Sequence, residues 1–211
     1  MVRLDLYWIP LGAGTTVVRV SGRVFEAIVA RWERRRRCDI YHAALIATID
    51  DATIAVEMAP IPDHNGREER GVVAEGAVGL GWLGRSRIFR YEIRRWENGV
   101  IPDVSDAVAS PIRITDVPDV VTRVLDTLPS VPTPVWGRDD LGAGEMWNSN
   151  SVVSWTLWSA GVDLDRIQLP AGGRAPGWDA GRRVATRDTR CRLAGSFAPV
   201  TRAATGETMG T

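Results

Sequence analysis

The sequence predicts an α+β domain, and three observations carry that prediction. The first half is a series of short strand-like runs bounded by turn residues. Two of those runs flank a turn, Asp50-Asp51-Ala52, short enough for an antiparallel hairpin. Two stretches in the second half place apolar residues at helical spacing.

Taken in order, residues 3–9 alternate, with Leu4, Leu6 and Trp8 on one face and Asp5 and Tyr7 on the other. Pro10 and Gly12-Ala13-Gly14 end that strand; the glycine pair lacks the third glycine and the partners of a phosphate loop. A helix is expected over residues 22–36, from Val24, Phe25, Ile28, Val29 and Trp32. Ser21 would be its N-cap, and Arg34 to Arg37 would place cations at its C-terminal end. Residues 40–48 and 53–58 form the hairpin. Residues 61–69 read as a polar loop carrying His64, and further strands are expected over 72–78 and 87–96. A helix over 118–128 presents Val120, Val121, Val124, Leu125 and Leu128 on one face, with Pro118 in its first turn. The last helix runs over 149–160, with a buried stripe of Val152, Val153, Thr156, Leu157 and Ala160 and a stop at Gly161. Pro176-Gly177-Trp178 marks a turn with an aromatic anchor. Residues 1–186 then make one domain, and 187–211, poor in periodic apolar residues, are expected to be a disordered tail.

Composition narrows the function classes. Apolar residues make up 45% and charged residues 25%, as in ordinary globular proteins. The net charge of +0 gives no global pull toward nucleic acid or an anionic membrane, so no nucleic-acid partner is expected. All 26 basic residues are arginine, which we read as codon usage of a high-GC bacterial genome. No apolar run approaches the roughly 18 residues that span a bilayer. Without a signal-type apolar start or a paired-cysteine pattern, the expected location is cytoplasmic. Cys38, behind the arginine run, reads as a small residue at an element junction rather than a nucleophile.

Chemistry concentrates at three places. His42, one of only 2 histidines, opens the run Tyr41-His42-Ala43-Ala44-Leu45-Ile46. Glu57 is embedded in the next run, Val56-Glu57-Met58-Ala59-Pro60. Asn148-Ser149-Asn150-Ser151 stands at the mouth of the last helix. A hydroxyl at a helix start, an imidazole on one strand and a carboxylate on the next are the parts of a nucleophile–base–orienter site. The same residues also suit a plain N-cap at Asn148 or Ser149, stabilising by about 1 kcal/mol.

This order of motifs resembles the circularly permuted papain-like superfamily, which includes the permuted NlpC-type peptidases and the lecithin:retinol acyltransferase-like proteins. In those families a His strand comes first and a polar residue follows on the next strand. The nucleophile comes last, in an Asn-Cys-x-x-Phe motif that opens a helix. Here Ser149 stands in the Cys position and Val152 in the Phe position, and the likeness spans roughly residues 38–162. The resemblance implies an antiparallel sheet carrying His42 and Glu57, packed against helices that include the nucleophile helix. It implies Ser149 as nucleophile, His42 as base and Glu57 as its orienter, with no metal and no cofactor. Serine, with a hydroxyl of far higher pKa than a thiol, depends on His42 to take its proton.

Two functions follow. One is a hydrolase or acyltransferase acting on an amide, thioester or ester of a small-molecule, peptide or lipid substrate, with Asn148, Asn150, Trp147 and Trp178 lining the substrate site. The alternative is an inactive papain-like protein that keeps the cleft to bind a peptide, lipid or glycan, or a partner protein. A metal site of His42, Glu57 and His64 is disfavoured, because the helix-borne His pair of zinc hydrolases is missing. Oligomeric state is not legible.

Overall fold

The computed structural model describes residues 1–11, 38–61, 70–79, 81–85, 89–101 and 103–196. The fold is α+β. Its strands are β1 (Val2–Pro10), β2 (Asp39–Ile49), β3 (Ala52–Pro60), β4 (Val72–Ala77), β5 (Arg90–Glu97), β6 (Ile112–Thr115) and β7 (Gly173–Arg174). Its described helices are α1 (Pro118–Thr127), α2 (Ser149–Ser159) and α3 (Trp178–Ser196). Six strands pair antiparallel in the order β4-β5-β3-β2-β1-β6, and the short β7 joins β2 in parallel.

Strand alternation sorts the sheet residues onto two faces. Leu4, Leu6 and Trp8 of β1, Leu45 and Ala47 of β2, Val56 of β3 and Tyr91 and Ile93 of β5 share the main core with α1, α2 and α3. Leu6 lies opposite Leu45, and both are fully buried; each side chain contributes about 1.5–3 kcal/mol. The second face is smaller, with Ile9, Ala44, Ala55 and Ile101 at its centre. α1 packs on β1, α2 on β2 and β3, and α3 lies against α2. The helix α2 is therefore enclosed from both sides, and every residue from Ser149 to Leu157 is buried. The expected apolar stripe is only part of what it buries: polar residues are buried with it, Ser151 and Ser154 donating to the carbonyls of Gly177 and Trp178 and Asn150 bonding to the β2 edge.

The structure departs from the expectations at the chain's end. α3 continues ten residues past the boundary drawn at Thr186. Arg187 donates to the carbonyls of Leu141 and Gly142, and Asp188 accepts from the Trp155 indole at 3.0 Å. Polar contacts of this kind leave no apolar periodicity to read. The tail expected beyond Ser196, the helix over 22–36 and His64 lie outside the described residues. β6, β7 and α3 went unread in the sequence, the two strands because they are too short for a pattern. No described helix is long and apolar enough to cross a membrane.

Candidate functional site

The mouth of α2 is built from hydrogen bonds. Asn148 caps the helix: its Oδ1 accepts from the amides of Asn150 (2.9 Å) and Ser151 (3.4 Å), while its own amide donates to Ser151 Oγ. The remaining polar groups reach the turn before α3. Asn148 and Asn150 both donate to the Pro176 carbonyl, Ser151 to that of Gly177, and Ser154 to that of Trp178. Two motifs that the sequence shows separately are thus one interface. Gly177, at φ 85°, and Gly181 are needed there, since a Cβ on either would overlap α2 atoms of Asn148, Ser151 or Ser154.

Asn150 makes the second connection. β3 pairs with β2 only from Leu45 onward, so on the side away from β1 no described strand lies beside residues 41–43 of β2. The Asn150 side chain fills that gap, accepting from the Ala43 amide at 2.6 Å and donating to the Tyr41 carbonyl at 3.0 Å. A carboxamide carries the same donor and acceptor as a peptide, so it substitutes for a strand residue. These are the two peptide groups flanking His42, and they bring the start of α2 to the His42 edge.

His42 lies opposite Ile9 of β1, and alternation puts it on the face of Ala44, the second face. Glu57 alternates with Ala55 onto that same face, where Arg94 is its cross-strand neighbour. The Glu57 carboxylate takes a hydrogen bond from Arg94 Nη1 at 3.0 Å. Arg94 also donates to Glu92, which receives a bidentate pair from Arg70. All four side chains are buried. Burial pushes the Glu57 carboxyl up against the lowering effect of Arg94. Burial would also raise Glu92, but hydrogen bonds from Arg70 and Arg94 hold it below its ordinary value. Sequence reasoning missed this network. Its signal was Glu92 and Arg94 at alternate positions of one strand, opposite charges on one face.

Among the described residues no hydrogen bond joins Ser149, His42 and Glu57 to one another. Ser149 is the first residue of α2 and is buried. The orienter role expected of Glu57 meets a carboxylate held by arginine. Of the expected substrate contacts, Asn148 and Asn150 bond within the fold, and Trp147 is buried with an indole N–H that has no described partner. Trp178 alone lines a groove, of about 230 Å³, with Glu145, Leu169, Pro176 and Asp179 among its walls. It packs on Trp8 with ring centroids 5.1 Å apart. No group of three His, Cys, Asp or Glu among the described residues could hold a metal ion.

Burial lowers the His42 pKa from 6.5 to about 4, so the imidazole is neutral at pH 7 and a weak base. Because the fold favours the neutral ring, its contribution to stability is complete above pH 6.5 and is lost as pH falls toward about 4. Denaturant unfolding of the wild type against His42→Gln measures this. The difference is expected to shrink by at most about 3 kcal/mol across that window. A difference that stays flat with pH would show that the ring protonates without cost.

No family model, no curated protein and no solved structure matches this chain.

Proposed function

We propose that this chain is a papain-like domain that binds a peptide or partner protein and performs no acyl chemistry. The observation that carries this reading is the bonding state of the expected site residues, the orienter Glu57 and the substrate-binding Asn148 and Asn150. Glu57 is held by Arg94, and the side chains of Asn148 and Asn150 bond to backbone groups within the fold. His42, with its pKa near 4, gives little driving force for taking a serine proton. A site for nucleophilic attack keeps its base oriented and its nucleophile activated; here neither group has a described partner that does so. The groove beside Trp178 keeps the aromatic wall of a binding cleft.

One observation favours Ser-His-Glu catalysis as a second reading. Asn150 anchors the nucleophile helix on the peptides that flank His42, which puts Ser149 and His42 at one strand edge, although the imidazole lies on the sheet face opposite the one that α2 covers. A fluorophosphonate probe separates the two readings. No labelling above that of Ser149→Ala is expected in the wild type. Labelling that vanishes in both Ser149→Ala and His42→Ala would overturn the binding reading and establish the hydrolase or acyltransferase.

A further inference from the structure

We infer that the open edge of β6 is a docking site for an extended, acidic-apolar peptide segment of a partner protein; this deepens the binding reading and rests on it. β6 ends the sheet, with β1 as its neighbour on one side. Among the described residues no backbone hydrogen bond reaches it from the other side. A groove of about 350 Å³ lies at that strand, lined by Ile112 to Thr115 and Val120 and by residues 161–163, Arg166 and Ile167. Ile112, Ile114, Val162 and Ile167 pack partly against the main core, so their remaining surface gives the groove an apolar lining.

An unpaired strand edge presents a row of N–H and C=O groups. A helix, whose backbone is satisfied internally, cannot answer that row, whereas an extended segment can add to it as another strand. Charge sets the partner's chemistry. Arg113 and Arg166 stand at the groove with side chains 48% and 87% exposed. Asp5 bonds Nε of Arg113, with Asp116 also near that guanidinium, and Asp163 pairs with Nε of Arg166, so among the described residues the Nη groups of both arginines are the donors left for a partner. The remaining guanidinium donors favour carboxylates on the incoming strand, with aliphatic side chains at the alternate positions that face the groove.

The test uses a fluorescein-labelled octapeptide of alternating Val and Glu, and the same peptide with a central Pro. Anisotropy is expected to show saturable binding, weakened at least about tenfold by the Pro and by Arg166→Glu. Hydrogen exchange is expected to slow at Ile112–Thr115 when the Val-Glu peptide is added. Equal binding of both peptides, or protection elsewhere, overturns the proposal. Slow exchange of these amides before any peptide is added also overturns it, because the edge would then be covered. A concentration-dependent dimer that protects the same amides would replace the peptide with a second copy of this chain. None of these results bears on Ser149 labelling, so failure of the docking site and failure of the binding reading are distinguishable.

Discussion

Asn150→Leu is expected to destabilise the protein by about 3–5 kcal/mol, although the two side chains are of similar size. The loss comes from the groups left behind. The Ala43 amide and Tyr41 carbonyl have no described strand to pair with on the side away from β1, and an orphaned buried group costs about 1–3 kcal/mol. The Pro176 carbonyl keeps its bond from Asn148, so it adds little. At this chain length about 1 kcal/mol moves the thermal midpoint by roughly 2–4 °C, so a fall of about 10 °C is expected. Asn150→Asp should be worse at neutral pH. Its carboxylate still accepts from Ala43 but faces two carbonyls where a donor stood. Acidification to the point where that carboxyl gains a proton should recover part of the loss. A change within about 1 kcal/mol for Asn150→Leu would show that the amide does not bridge the helix to the strand.

Arg94→Met is expected to cost about 3–5 kcal/mol, the effect of removing one partner from a buried ion pair. Arg94 is the link between Glu57 and Glu92, and it also donates to the Pro60 carbonyl. Without it Glu92 keeps Arg70, whereas Glu57 has no described cation and its carboxyl, already raised by burial, rises further. The sign of the pH dependence follows. A carboxyl whose folded pKa exceeds its unfolded value makes the fold less stable as pH climbs between the two values. The defect of Arg94→Met should therefore be larger at pH 8 than at pH 5 by urea denaturation. Adding Glu57→Gln should return part of the stability and remove its share of that pH dependence. A double variant no more stable than Arg94→Met would place the cost in lost packing against Trp96, whose ring lies 6.0 Å from the guanidinium.

The sequence by itself determined the elements that follow from a local pattern. β1 alternates, α1 carries a helical stripe, and the β2–β3 hairpin, β4, β5 and α2 are apolar-rich runs bounded by turn or cap residues. It also marked His42, Glu57, Ser149 and the turn at 176–178 as the chemically dense places. What it could not assign was partners. Whether Asn150 lines a cleft or mimics a strand depends on where β3 leaves β2, and that divergence is a long-range property of the sheet. Whether Glu57 orients a histidine or balances an arginine depends on which strand lies next to β3. That strand is β5, not β4, so Arg94 stands opposite Glu57. The tail was misread for the same reason. Arg187 and Asp188 look solvated in sequence, yet they bond to a loop and an indole about 45 and 33 residues away. Periodicity reports which face of an element is apolar. Hydrogen-bond partners are set by register and by strand order, and only the folded chain fixes those.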